Sequence, residues 1–208
     1  ISITQSTTFS ERIATGKNKF RLFNREFETS LENPVLINNL ILALTLLYLE
    51  GVSLSDLQLA SSSIDLTVKS RFQKIDMGDW ILIDDSYNAN PASFKCALEN
   101  LEKLYPERRK IVVCGSMAEL GDLSSEFHRQ VGNYMFKCGI KKIFGLGGVE
   151  IDFYLDGWTQ AGGQRTSGKH YRGLRDLINS FKADLHSKDV VLVKGSRSAK
   201  MERFIDAI

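Results

Sequence analysis

The sequence predicts an α/β protein, a mostly parallel sheet with helices on both faces, preceded by part of another α/β domain. Three observations carry this. From Trp80 onward, short apolar strands alternate with helical stretches of roughly ten or more residues, the pattern of strands laid parallel and covered by helices. The run Leu82-Ile83-Asp84-Asp85-Ser86-Tyr87-Asn88-Ala89-Asn90-Pro91 ends an apolar strand in carboxylates, amides and hydroxyls before a proline opens a helix. A turn needs only one Asn, Asp or Gly, whereas ligands collect beyond the carboxyl ends of strands in open α/β sheets. With 43% hydrophobic residues, 208 residues are enough to bury a core.

Taken in order, Phe20–Phe23 and Phe27–Leu31 read as a hairpin turning through Asn24-Arg25-Glu26. After Pro34, the apolar run Val35–Leu49 predicts a helix buried on nearly every side and closed by Gly51 as its C′ residue. That run is shorter than the ~20 residues of a membrane span. Ser53 and Asp56 have capping-box spacing for a second short helix. The polar stretch Ser61–Lys69 is the expected linker, so residues 1–69 read as the remnant of one domain and 70–208 as a second, whole one. A second hairpin pairs Arg71–Ile75 with Trp80–Asp84 and turns at Gly78-Asp79.

The α/β alternation then runs through a helix Pro91–Leu104, a strand Ile111–Cys114, a helix Ser125–Cys138 and a strand Ile143–Leu146. A helix Gly173–Leu185, a strand Val190–Val193 and a final helix from Ser198 complete it. Phe94, Ala97, Leu98, Leu101 and Leu104 share one face of the first of these helices, with Pro91 in its favoured first-turn position.

A net charge of +2 with dispersed basic residues gives no surface for nucleic acid or another polyanion. Cys96, Cys114 and Cys138 show no Cys-x-x-Cys spacing, so neither a disulfide framework nor a thiolate metal site is expected, and a reducing cytoplasm fits. The amino terminus Ile-Ser-Ile-Thr has no basic region, apolar core or Met; no signal peptide and a piece of a longer protein are expected.

The segments DDSYNANPAS, GSMAELGDLSSEFHRQVG and LVKGSRSAKME, in this order, resemble the C-terminal half of the Mur ligases of bacterial cell-wall synthesis. The similarity runs from about Val35 to Ile208 and leaves the first thirty or so residues without a motif. It implies a Rossmann-like C-terminal domain preceded by the tail of the ATP-binding central domain. Within the family the motifs are nearest those of the member that joins D-alanyl-D-alanine to a UDP-N-acetylmuramoyl tripeptide with ATP. The implied partners are those two substrates, with no nucleic acid and no membrane insertion. Mg²⁺, the P-loop and UDP recognition would belong to parts upstream, leaving this chain inactive by itself. Two alternatives remain: another ligase of the superfamily, of the folylpolyglutamate synthase kind, or a non-catalytic α/β binding module.

The resemblance assigns Asp85 to the ribose hydroxyls of ATP and Asn88 to a nearby nucleotide contact; a carboxylate can accept from both hydroxyls and an amide both donates and accepts. Asn90 either caps the helix at Pro91 or meets a ligand. Arg71 corresponds to the arginine of a Gly-Arg pair that reaches the ATP phosphates, with Ser70 in place of the Gly. Asn39 falls in a His-x-x-x-Asn segment near the adenine, with Val35 in the His position. In the second signature, Gly115-Ser116-Met117 stands where Gly-Asp-Met is usual; Glu119 is expected to act on the incoming amine, and His128 either takes part in catalysis or makes a structural hydrogen bond. Lys194, Ser196 and Arg197 put cations and hydroxyls before the last helix, a ready carboxylate or phosphate site. Lys194 counts with Glu119 and His128 as a catalytic candidate, while Ser196 and Arg197, like Asn90, are candidate substrate contacts. Gly163–Lys169 has Gly-x-x-x-x-Gly-Lys spacing, but His170 replaces the Ser or Thr and no apolar strand leads in, so it is rejected as a P-loop.

Overall fold

The computed structural model describes residues 9–10, 18–31, 34–64 and 69–208. The chain divides into two compact units, Ile1–Thr67 and Val68–Ile208.

In the first unit, β1 (Phe9–Ser10), β2 (Asn18–Leu22) and β3 (Arg25–Thr29) form an antiparallel sheet in the order β1-β2-β3. The hairpin turns at Phe23-Asn24, one step earlier and tighter than expected, with φ of 50° and 57°. Two left-handed central residues match the twist of the flanking strands. Arg25 and Glu26 therefore lie in the ladder opposite Leu22 and Arg21, and the Phe23 ring rests 4.2 Å from that of Tyr48.

Two helices complete this unit, α1 (Pro34–Leu49) and α2 (Leu54–Ser63). Ile37, Leu40 and Leu44 of α1 are buried with Phe20, Phe27 and Leu57. The opposite stripe is open: Leu42, Leu46 and Leu49 keep 61%, 56% and 62% of their surface, so a helix expected to be buried on nearly every side has one buried face. Gly51, at φ +92°, closes α1 as expected: its N–H reaches Tyr48 O at 3.0 Å and the Val52 N–H reaches Leu47 O at 3.1 Å. Ser53 caps α2 through the Asp56 N–H, as its spacing predicts. Ser61–Ser63, read from the sequence as linker, belong to α2 because the Ser61 hydroxyl is buried against Glu28 O at 2.6 Å. Residues 65–68 of that expected linker lie outside the described ones.

The second unit is built on one sheet of six strands in the order β4-β5-β9-β6-β7-β8. They are β4 (Gln73–Asp76), β5 (Ile81–Asp85), β6 (Lys110–Cys114), β7 (Ile140–Leu146), β8 (Gly168–Tyr171) and β9 (Val190–Lys194). Only the edge strand β4 is antiparallel, pairing Gln73 with Asp84 across the Gly78 turn. The helices α3 (Pro91–Leu104), α4 (Ser124–Lys137) and α5 (Glu150–Gln160) cover one face, and α6 (Leu174–Asp184) and α7 (Glu202–Ile205) the other. Successive strand residues alternate between the two cores: Ile81, Ile83, Val112 and Leu192 pack under α3–α5, and Leu82, Ile111, Val113 and Val193 under α6 and α7.

Two elements of this unit, α5 and β8, have no counterpart among the elements expected from the sequence, as β1 has none in the first. Gly157 reads as a helix breaker, yet it is where α4 and α5 nearly touch: a Cβ there would lie 2.0 Å from Arg129 O, and one on Gly132 would lie 2.0 Å from Tyr154 O. The second half of the rejected Gly163–Lys169 motif is β8 itself, so Gly168 and Lys169 are edge-strand residues and cradle nothing.

Candidate functional site

β5, β9 and β6 are parallel neighbours, so the loops that follow them emerge at one edge of the sheet. Register sets Asp85 beside Lys194 and Lys194 beside Cys114 in a single cross-strand row. Lys194 is 1% exposed, and its ammonium donates to Asp85 Oδ2 at 2.5 Å and to Asn88 O at 3.1 Å. The other Asp85 oxygen accepts the Phe72 N–H at 3.0 Å. Burial pushes the Asp85 carboxyl above its ordinary range, against the pull of the Lys194 ammonium and the Phe72 amide. Each of its oxygens retains a lone pair for a further donor, and the side chain keeps 16% of its surface. Lys194 thus ties the ends of β5 and β9 together from within the fold.

Asp84, the other carboxylate of the run, is structural. It is 4% exposed and accepts from Ser86 N at 3.0 Å, Ser86 Oγ at 2.6 Å and Ser70 Oγ at 2.9 Å. The bond from Ser70 ties the turn before β4 to the end of β5. Ser70 adopts φ 61° and Phe72 φ 51°, left-handed conformations that cost a non-glycine residue about 1–2 kcal/mol each. Between them Arg71 is exposed, with its guanidinium 4.5 Å above the Tyr87 ring. The Tyr87 N–H closes the arrangement on Ser70 O at 3.1 Å. Two left-handed residues held by specific bonds are strain of the kind concentrated at functional sites.

Asn88 is exposed; its Oδ1 accepts the Ala89 N–H at 2.9 Å and its amide nitrogen has no partner among the described residues. Asn90 is committed as the N-cap of α3, accepting from Ser93 N at 2.8 Å while Ser93 Oγ accepts its own N–H. Of its two readings, the cap is the one the structure fills. Asn39 is exposed on α1 in the first unit, where no bond engages its side chain among the described residues, and the side chain of Val35 lies outside the described ones.

Beyond β6, His128 is 0% exposed and both ring nitrogens are used. Nε2 accepts the Met117 N–H at 3.0 Å and Nδ1 donates to Ser124 O at 2.6 Å, which defines a neutral tautomer; burial lowers its affinity for a proton further. With no nitrogen facing solvent, His128 has the structural hydrogen bond of its two readings, and it anchors the start of the Met117–Leu120 loop. Glu119, in that loop, is exposed and left-handed at φ 61°.

After β9 the chain does not enter a long helix. Arg197–Ala199 form a 3₁₀ turn, Lys200 is left-handed, and α7 is a single turn, so the helix-terminus field expected here is small. Ser196 is buried with its hydroxyl 3.0 Å from that of Ser198, and its N–H reaches Ser116 O at 2.9 Å. Arg197 is 67% exposed and paired with Glu202 at 3.1 Å. The sequence reading passed over the roles of Ser70, Asp84 and Tyr87; the doublet Asp84-Asp85, with one residue facing each side of the strand, was the available signal for Asp84.

Comparison with known proteins is consistent with this geometry. The family model described as "Mur ligase, glutamate ligase domain" matches residues 70–197. A UDP-N-acetylmuramoyl-tripeptide--D-alanyl-D-alanine ligase from Buchnera aphidicola is 27% identical over 98% of the chain and 44% of its own length. A MurF crystal structure from Acinetobacter baumannii is 26% identical with a TM-score of 0.76, over 92% of this chain and 42% of that one. The MurF ligase from Thermotoga maritima, solved in complex with ADP, has a TM-score of 0.75 at 22% identity, over 91% of this chain and 42% of that one. The chain therefore spans less than half the length of these relatives. With the model covering most of the chain and the strand-end motifs in their expected loops, the chain belongs to the Mur ligase family.

Proposed function

We propose that the chain supplies the nucleotide-closing and second-substrate surface of an ATP-dependent ligase that joins D-alanyl-D-alanine to a UDP-N-acetylmuramoyl tripeptide in cytoplasmic peptidoglycan synthesis, and so supports cell shape and division. The observation that carries this reading is the joint placement of Asp85, the exposed Asn88 and Arg71, held between two left-handed residues, at the open end of β5. The names of the relatives support the substrates, and the ADP complex of the Thermotoga maritima protein supports the nucleotide.

In the reaction the tripeptide carboxylate attacks the γ-phosphate of ATP, giving an acyl phosphate and ADP. The dipeptide amine then adds to the acyl carbon, loses a proton and expels phosphate. Asp85 accepts from the ribose hydroxyls, Asn88 donates beside it, and Arg71 offsets phosphate charge. Glu119 lies in a loop suited to receive the amine proton. No cluster of three His, Cys, Asp or Glu side chains among the described residues is arranged to hold a metal, so Mg²⁺ is assigned to no residue of this chain. Among the described residues no helix is long and apolar enough to cross a membrane.

Calorimetric titration of ATP into the chain and into its Asn88→Ala and Arg71→Gln variants tests the reading. Both residues are exposed, so the variants keep the fold. Each is expected to weaken binding by about tenfold, from one lost charge-assisted or amide hydrogen bond. Unchanged affinity in both would remove the nucleotide from this loop.

A further inference from the structure

A cleft of about 290 Å³ opens where the ends of β6, β7, β8 and β9 meet. It is lined by Ser116 beyond β6, Gly147 beyond β7, Arg172 and Leu174 beyond β8, and Ser198 and Arg203 beyond β9. None of its lining residues is a carboxylate. Arg172 makes no hydrogen bond or ion pair among the described residues, and Arg203 gives only its Nε, to Lys200 O at 3.2 Å. Two guanidinium groups with free terminal nitrogens and two hydroxyls in one concavity form an anion site. Its size is at the small end of ligand pockets, which suits a short peptide and not a nucleotide.

The cleft is continuous with the loops of the candidate site. Ser116 O accepts the Ser196 N–H, and from Ser116 the chain runs directly into Met117–Glu119. Arg197, by contrast, is held by Glu202 and is not in the lining. We propose that Arg172 and Arg203, with the Ser116 and Ser198 hydroxyls, grip the free carboxylate of the incoming dipeptide, leaving its amine on the side of the Glu119 loop. This rests on the reading above that the second substrate is D-alanyl-D-alanine, and it names the specificity-determining contacts. Arg172 follows a strand that the sequence pattern does not reveal, which is why no motif marks it.

The test is an NMR titration of the chain with D-alanyl-D-alanine and, separately, with its C-terminal amide, repeated on Arg172→Gln and Arg203→Gln. The expected result is saturable shifts at Ser116, Gly147 and Ser198 with the acid, at least about tenfold weaker binding of the amide, and a similar loss in each variant. Equal binding of acid and amide, unchanged affinity in both variants, or no shift in the cleft with any carboxylate overturns the proposal. L-alanyl-L-alanine and D-glutamate separate the two levels of argument. If one of them binds the cleft in an arginine-dependent way while D-alanyl-D-alanine does not, the anion site stands and the substrate assignment falls. If D-alanyl-D-alanine binds elsewhere, independently of both arginines, the substrate stands and the cleft assignment falls. Displacement of the dipeptide by equimolar inorganic phosphate also overturns the carboxylate assignment.

Discussion

Replacing Lys194 with Met removes the buried cation while keeping a side chain of similar length, and the thioether suits the neighbourhood of the Phe94 ring, 5.8 Å from the ammonium. Asp85 is then left with the Phe72 N–H as its one remaining described donor, and Asn88 O loses its partner. Breaking one side of a buried pair costs roughly 3–5 kcal/mol. Because Asp85 keeps 16% of its surface, the lower end, ~3 kcal/mol, is expected at pH 8. Burial already raises the Asp85 carboxyl, and without Lys194 little opposes it, so the folded variant holds a proton that the unfolded chain releases above 3.8. A group raised in the fold gives its full stabilisation below the unfolded value and loses it as pH rises through the folded one, so the deficit shrinks toward pH 5. Urea unfolding followed by tryptophan fluorescence isolates the right unit, since Trp80 and Trp158 both lie in Val68–Ile208. With a slope of ~2 kcal/mol per molar, the midpoint at pH 8 falls by about 1.5 M. Adding Asp85→Asn to Lys194→Met is expected to recover at least half of that loss. A deficit under ~1 kcal/mol, or one of the same size at pH 5 and pH 8, would refute the coupling between Lys194 and Asp85.

Gly132→Ala forces a methyl to within 2.0 Å of the Tyr154 carbonyl, so α4 and α5 must separate; a loss of about 2–3 kcal/mol is expected in the same urea assay, and a neutral result would mean the helices are not locked. At position 70 the two substitutions separate: Ser70→Ala keeps the strained φ of 61° but leaves Asp84 a donor short, costing ~1–3 kcal/mol, while Ser70→Gly relieves the strain and stays within about 1 kcal/mol of wild type. Equal losses in both would show that the left-handed backbone at position 70 stores no strain. His128 is stored neutral, with a folded value below its ordinary 6.5, so its contribution is complete above that pH and drains away as pH falls below it. Stability measured from pH 8 to pH 5 should therefore decline more steeply in wild type than in His128→Gln, and parallel curves would contradict the neutral tautomer.

The strands that stood out in the sequence are those buried on both faces. Ile111–Cys114 and Val190–Val193 read as continuous apolar runs because each side chain has a core to enter. β8, with Lys169 and His170 on an edge, carries no such run. α5 hides behind Gly157, whose lack of a side chain serves the approach of α4. The hairpin turn in the first unit was misplaced because Phe23 is a poor advertisement for a left-handed position. Asp85 and Asn88 stand out as candidates in the sequence from their crowding beyond a strand, and the structure puts both at the open end of β5. Their link to Lys194 was not legible, since it joins residues 109 apart in sequence through register alone. Sequence alone offers His128 and Asn90 two readings each, because the backbone groups they bond, Met117 N–H and Ser124 O for one and Ser93 N–H for the other, come within reach only in the fold.

β9 is the last strand in the chain but stands in the middle of its sheet, between β5 and β6. Before Val190–Lys194 leave the ribosome, β5 and β6 present two bare edges to each other, and the carboxylate of Asp85 has no cation. Closing that gap is a long-range event of the kind that folds slowly and exposes unpaired strands to other chains. A chain ending before Val190 would therefore not give a slightly trimmed domain. It would give a sheet missing its centre and an Asp85 without its cation, so a check on completeness is built into the order of the strands.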